Sequence, residues 1–354
     1  MRALVAILLT ISVHAAEPYY GVTMVQARAL WRVTKGAGVK VAIVDTGIDA
    51  THPALQAAYR GGYDFVHDDA TPEEETSEAH GTFVAGVVLQ VAPDAQIYAL
   101  KIFGKENSFE TSDFVHAIDW AIAHHIDVLN LSFAAKVHLD DVRHALERAE
   151  AAGIVVVAAA GNAAGAVDYP AAFDSAIAVG AVDHAMNVAS FSNHGWELDL
   201  ATPGVDVYSL AAKGSGLVAT INDNIYATSF LGARLGDVTG ALIDCGAGRR
   251  EQIPASLVGN VALVRLDPSY PFGDALGNLV RGRASAIIVA NSEPRFFYTN
   301  VNPPGVLPPV ASIGSDDVAR LGATVHVVSA QSDFRFGYGT SYASPHVAGV
   351  VALL

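Results

Sequence analysis

The chain has 354 residues, 51% hydrophobic and 16% charged, with 32 glycines spread along its length, a usage that excludes a disordered or fibrous polymer and accommodates a large α/β unit or two domains. A formal net charge of -15 with no Lys/Arg-rich run excludes the positive surface that nucleic acid or anionic lipid needs. The one cysteine, Cys245, rules out an intramolecular disulfide and is expected to be a buried small hydrophobe.

Residues Met1 to Ala16 set one arginine ahead of an apolar run, Ala3 to Val13, closed by the small residues Ala15 and Ala16. That is the anatomy of a cleaved export signal, too short to span a bilayer, and it predicts a secreted or periplasmic product with no membrane attachment after cleavage. Val39 to Asp45 (VKVAIVD) is a continuous apolar run ending on a carboxylate, the pattern of a parallel strand buried on both faces. Gln96 to Ile102, Asp127 to Leu131 and Ile154 to Ala159 repeat it, and the helical patterns TSDFVHAIDWAIAHH and LDDVRHALERAEAA alternate with them. Strands alternating with helices predict an α/β fold of three layers, with a doubly wound, mostly parallel sheet in the middle. Ligands of such sheets sit at the carboxyl ends of the strands, and Asp45 and Asn162 both fall there.

From Lys213 to Ser332 the texture changes to short β-like runs, such as Asn260 to Leu266 and Ala286 to Ala290, between turn-rich stretches. This predicts an inserted, smaller, β-rich α/β module over 213–332 that divides the first domain into 17–212 and 333–354. Beyond it the turn residues FGYGTS lead into the apolar helical run SPHVAGVVALL, with Pro345 expected in the first helical turn.

Peptide hydrolysis without a metal needs a nucleophile, a base, a carboxylate to orient the base, and donors for the developing oxyanion. Asp45 lies in DTGID, where the Thr46-Gly47 turn would aim a partly buried carboxylate at a histidine. His80 lies in HGTFVAG, where Gly81 permits close backbone approach at the start of a helix. Ser341 lies in GTSYASPHVAG, also at a helix start, where the dipole favours developing negative charge. His52 and His346 are expected to pack. The remaining histidines show no metal spacing, and neither HExxH nor paired CxxC occurs.

DTGID, HGTFVAG, AAAGN and GTSYASPH, in that order, resemble the four motif blocks of the subtilisin-like serine proteases, the subtilases. The chain order Asp, His, Ser is the family's own. The resemblance implies a monomeric, secreted serine endopeptidase that cuts protein or peptide substrates with Asp45, His80 and Ser341 as triad and needs no cofactor for its chemistry. It implies that Asn162 donates to the oxyanion together with the Ser341 backbone N–H. It also implies that Ser132, Phe133 and Ala134, on a strand, and Ala159, Ala160 and Gly161 line the groove for the substrate before the scissile bond. Within the insert, GNVALVRL, RASAIIVAN and PVASIGSDDVARL are similar to protease-associated domains, which implies a lid or adaptor that steers substrates.

Several features depart from the family pattern. HGTFVAGVVLQ passes directly into VAPDAQIYALKI without the loop that carries a calcium site in many relatives, and Ala54 stands where a calcium-ligating Asp often follows His-Pro. That site is not expected here, and structural calcium elsewhere is left open. Only Glu17 to Tyr20 separate the export signal from Gly21-Val22, so no long prosegment is expected, and Leu354 falls inside an uncapped apolar helix, so the chain is expected to be a fragment. An esterase reading is disfavoured because GTSYA lacks the second glycine of a G-x-S-x-G elbow. His80 and Asn162 exclude the sedolisin variant of the family. A catalytically inactive, protease-like binding module is the alternative.

Overall fold

The computed structural model describes residues 19–105, 108–299 and 305–354. Met1 to Ala16, expected to be an export signal, lies outside the described residues. In β1 (Lys40–Asp45) the buried Val41 and Ile43 join the core on one side of the sheet, while Ala42 and Val44 join the core on the other. β2 (Tyr59–Asp64), β3 (Gln96–Lys101), β4 (Val128–Leu131), β5 (Val155–Ala159), β6 (Ile177–Val182) and β7 (Leu200–Pro203) complete a seven-stranded sheet. Its order is β2-β3-β1-β4-β5-β6-β7, and every pair is parallel.

The helices are α1 (Tyr20–Met24), α2 (Ala27–Leu30), α3 (His80–Val91), α4 (Thr111–Ala123), α5 (Asp140–Ala151), α6 (Phe272–Arg281) and α7 (Thr340–Leu353). α3 and α7 bury their apolar residues on one face of this sheet and α4 and α5 on the other, giving the expected three layers. β1 lies between β3 and β4, so the strand order reverses at its carboxyl end and opens a crevice there. Two expectations need correction. α7 begins at Thr340, so Ser341 lies within the first turn and Pro345 in the second. β4 ends at Leu131, so Ser132, Phe133 and Ala134 run on past the sheet edge instead of forming a strand.

The chain leaves the first sheet through β8 (Val207–Leu210) and returns through β16 (Phe334–Gly337), which pair antiparallel as a two-stranded ribbon. Between them β9 (Gly216–Ile221), β10 (Ile225–Ala227), β11 (Gly236–Asp244), β12 (Val261–Arg265), β13 (Ala286–Ala290), β14 (Val310–Ile313) and β15 (Thr324–Ser332) form a second, mixed sheet. Its order is β10-β9-β15-β11-β12-β13-β14. Thr228 and Ser312 exchange backbone hydrogen bonds and draw the end of β10 onto β14, around an apolar core that includes Ile221, Val261, Ile288 and Val327. α6 covers the other face with Leu276 and Leu279. Cys245 is fully buried there, and burial pushes its thiol up to about 11, so it behaves as the small hydrophobe expected.

Asp206, between β7 and β8, ties the two sheets together. Its Oδ2 accepts the Phe296 N–H at 2.9 Å and its Oδ1 accepts the Tyr298 hydroxyl at 2.9 Å. Burial outweighs both hydrogen bonds and raises this carboxyl to about 7. The folded protein therefore holds this proton more tightly than the unfolded chain, so the group favours folding most at pH below the usual carboxylate value and loses that contribution as pH rises to about 7. Thermal unfolding between pH 5 and pH 8 is expected to show a melting temperature that falls more steeply with pH in the parent than in Asp206→Asn. Equal slopes would show that Asp206 is not the titrating group.

Candidate active site

The sheet delivers Asp45 as the last residue of β1, 2% exposed. The turn that follows requires glycine at position 47, where φ is +106° and an added Cβ would lie 2.5 Å from the Glu73 carbonyl oxygen. The Thr46 N–H donates to Asp45 Oδ1 at 2.8 Å. The start of α3 packs directly on this turn, because a Cβ on Gly81 would lie 2.2 Å from the Gly47 carbonyl oxygen. The Gly81 N–H donates to Thr46 Oγ1, and that hydroxyl donates to Glu74 Oε2 at 2.7 Å.

The result is that His80 Nδ1 sits 2.8 and 2.9 Å from the two Asp45 carboxylate oxygens. Donation from Nδ1–H leaves Nε2 as the acceptor in the neutral ring. Burial alone would depress the imidazole, but the Asp45 charge and hydrogen bond oppose it and win, holding His80 above its ordinary value. Glu74 and the Thr46 hydroxyl escaped the sequence reading, since nothing in DTGID indicates that residue 74 folds back onto it. Burial also raises the Glu74 carboxyl, with the Asp45 charge adding to the effect.

Ser341 is positioned by backbone accounting. Pro345 has no N–H, so the Ser341 carbonyl four residues earlier has no partner within the helix. Ser132 Oγ supplies one, donating to Ser341 O at 2.7 Å. Asn130 Nδ2 donates to Ser132 Oγ at 2.8 Å, and Ser344 Oγ lies 3.0 Å from it. Ser132 lines the cleft, yet its hydroxyl is turned inward to hold the start of α7.

Asn162 follows β5, at a turn where Gly161 has φ +104°. Its side-chain oxygen accepts both the Thr340 N–H at 2.8 Å and the Thr340 hydroxyl at 3.0 Å. That fixes the orientation of the amide and leaves Nδ2 as an outward donor. Gly339, with φ +146°, passes close by, and a Cβ there would lie 3.4 Å from Asn162 Nδ2. The Ser341 N–H, in the first turn of α7, belongs to the helix-start donors that lack an intrahelical acceptor.

Asp45, His80 and Ser341 line one cleft of about 930 Å³, together with Ser132, Phe133 and Ala134 and an acidic wall of Glu75 and Glu78. Among the described residues, Ser341 Oγ makes no hydrogen bond to His80 Nε2. Catalytic hydrogen bonds often tighten only when substrate is bound. Ala159 and Ala160 are almost fully buried behind the cleft, and the Ala160 N–H and C=O are bonded to Val179 O and Asp168 N. These residues carry the chain to Asn162 and do not line this cleft.

The two histidines assigned to packing do pack. His52 Nδ1 accepts from Ala54 N, and its Nε2 lies 3.1 Å from Asp333 O. His346 is 1% exposed, bonds Tyr342 O at 2.9 Å, and is lowered by burial to about 4. Among the described residues no group of three His, Cys, Asp or Glu side chains is arranged to hold a metal.

Two outcomes test this geometry independently of turnover. NMR titration is expected to find His80 protonating at a pH above the usual imidazole value of about 6.5 in the parent and below the parent value in Asp45→Asn; an unchanged midpoint would discount the pair. Ser132→Ala strands the part-buried Ser341 carbonyl and is expected to lower unfolding stability by about 1 kcal/mol in denaturant titrations.

The subtilase family (peptidase S8) matches residues 36–242, a span that contains Asp45, His80 and Asn162 and stops before Ser341. The chain is 39% identical over 222 residues to subtilisin E of Bacillus subtilis (strain 168), covering 57% of this chain and 58% of that protein. It is 41% identical over 201 residues to subtilisin Savinase of Lederbergia lenta, covering 54% and 73%. It is 34% identical over 232 residues to an intracellular serine protease of Paenibacillus polymyxa, covering 61% and 71%. The match thus spans little more than half the length of subtilisin E. Among solved structures, the psychrophilic subtilisin-like protease Apa1 from the Antarctic psychrotroph Pseudoalteromonas sp. AS-11 shares the fold with a TM-score of 0.75, over 94% of this chain and 86% of that one, at 24% identity. With the motif blocks folded into one site and more than half its length matched, the chain belongs to the subtilase family.

Proposed function

We propose that this chain is a serine endopeptidase that cleaves protein or peptide substrates through an acyl-enzyme. The observation that carries the reading is the buried Asp45–His80 pair sharing one cleft with Ser341, beside an Asn162 amide whose orientation is already fixed. His80 Nε2 takes the Ser341 hydroxyl proton as Oγ bonds to the substrate carbonyl carbon. The carbonyl π pair moves onto oxygen, where Asn162 Nδ2 and the Ser341 N–H receive it. The C–N bond then breaks, and the leaving nitrogen takes the proton from His80. Water attacks the ester by the same steps, with His80 as base, and Ser341 regains its proton.

The reaction uses protein groups alone and needs the neutral imidazole. Because Asp45 holds His80 above its ordinary value, turnover rises as pH climbs through that raised value and is lost in acid. Covalent labelling of the folded protein by a fluorescent fluorophosphonate is expected for the parent and absent for Ser341→Ala and His80→Ala. A folded parent that fails to label would overturn the endopeptidase reading in favour of a binding module. Asn162→Ala is expected to lower kcat by about 10²- to 10³-fold with little change in KM, the magnitude established for this donor in subtilisin itself.

The reading extends to the whole chain. The segment Met1 to Ala16 directs export, and the mature protein acts as a monomer outside the cytoplasm. The second sheet is an inserted, protease-associated-like module over 213–332. Its own apolar core and its attachment through the single β8/β16 ribbon support that reading. Amino-terminal sequencing of the exported protein is expected to begin near Glu17; a product that keeps Met1 and stays in the cytoplasm would contradict secretion.

A further inference from the structure

A second cleft, of about 1050 Å³, opens between the two sheets and meets the first at Ser77 and Glu78. Asn162 lines it, and Ser132, Phe133 and Ala134 do not. Its first-sheet side presents Phe191 and Tyr338; its second-sheet side presents Leu217 from β9, Leu231 and Tyr298. Leu231 is 58% exposed and Tyr338 44%, so apolar surface stands open to solvent beside the oxyanion donor.

The two arginines of this cleft already donate to neighbours, with Arg335 Nε left without a partner among the described residues. Arg335 donates to Glu78 O and Tyr342 Oη and lies over the Phe83 ring, while Arg295 Nε donates to Glu293 at 2.7 Å. What the cleft offers an occupant is therefore mainly aromatic and aliphatic surface. Its second-sheet wall is held in place at two points. A Cβ on Gly216 would lie 2.1 Å from the Phe334 carbonyl oxygen, so the start of β9 is pressed onto the strand that leads to Ser341. Tyr298 is held through its hydroxyl by Asp206.

We propose that this cleft receives the leaving-group half of the substrate, and that Leu217, Leu231 and Tyr298 select a large aliphatic or aromatic side chain there. The inference rests on the endopeptidase reading, in which the acyl half of the peptide runs along residues 132–134 and the scissile carbonyl points at Asn162. The chain beyond the scissile nitrogen then has the second cleft to enter. Selectivity on this side comes from the second sheet, which the chemical step itself does not use.

The test uses the full chain and internally quenched peptides that share one acyl half and carry Phe, Leu, Gly or Asp in the two positions after the scissile bond. Each rate is normalised to the same variant's hydrolysis of a nitroanilide with that acyl half. The parent is expected to prefer Phe and Leu over Gly and Asp by tenfold or more in kcat/KM. Leu217→Ser and Leu231→Ser are each expected to shrink that preference by about tenfold, and Val258→Ser, an exposed apolar residue of the second sheet outside the cleft, to keep it. A parent without the preference, or variants that retain it in full, overturns the proposal.

Failure of the endopeptidase reading looks different, because the parent then hydrolyses neither peptide nor nitroanilide. A measurement that needs no turnover decides the cleft in that case. Fluorescence anisotropy of a labelled peptide with a free amino-terminal Phe, added to the Ser341→Ala protein, is expected to report binding about tenfold weaker when Leu217→Ser is also present. Equal binding by the two proteins overturns the proposal.

Discussion

α3 and α7 lie side by side on one face of the first sheet, the one beginning at His80 and the other carrying Ser341 in its first turn, and their close contact sets the dimensions of the site. The contact depends on a missing side chain, since a Cβ on Gly349 of α7 would lie 2.6 Å from Val91 Cβ of α3. α3 is pressed as closely onto β8, where a Cβ on Gly86 would lie 2.4 Å from Ser209 Oγ. Near the helix starts the Phe83 and Tyr342 rings meet at 4.1 Å between centroids, and the His80 ring lies 5.3 Å from that of Tyr342. Helices are stiff, so fixing their separation fixes where His80 and Ser341 stand relative to each other. Misplacement by about 1 Å can cost a hundredfold in rate, so this packing matters to the chemistry as much as any polar group.

The polar groups follow from a second constraint, that burying a donor or acceptor without a partner is costly. Pro345 strands the Ser341 carbonyl and Ser132 satisfies it. Thr340 donates twice to Asn162 and accepts from the Gly161 N–H, so the start of α7 and the end of β5 satisfy one another. These bonds are each modest, about 1 kcal/mol net, yet leaving one unmade in the interior costs more. The Asn162 amide is thus held in one orientation by the start of α7.

The strands, and the residues Asp45, His80 and Ser341 that the fold gathers in one cleft, were legible in the sequence because their signals are local. Val41 to Val44 and IVVVAA are apolar without interruption since both faces of β1 and β5 are covered, and DTGID and HGTFVAG carry the glycines that their close backbone contacts require. What escaped depends on contacts between distant positions. Asp206 meets Phe296 and Tyr298 about ninety residues later, and Ser132 meets Ser341 more than two hundred residues later. Ser132 reads as a groove residue until α7 is found to begin at Thr340, which moves Pro345 into the second turn and creates the carbonyl that Ser132 must satisfy. A shorter separation, 28 residues, still hid Glu74, whose carboxyl is recognisable as part of the site only once its loop is seen against Thr46.

The β8/β16 ribbon has a consequence for the order in which the molecule assembles. α7 packs against α3 and against β4 to β7, all of which precede the second sheet in the chain. Docking α7 early would mean closing a loop of more than a hundred unfolded residues, and that entropy must be lost before any contact repays it. Once the second sheet has gathered around its own core, β9 and β15 lie paired and the ends of that loop are already together at Leu210 and Phe334. Ser341 lies only a few residues beyond. Folding through this route brings Ser341 to His80 only after the second sheet has formed, so the pairing of these two side chains reports on the assembly of both sheets.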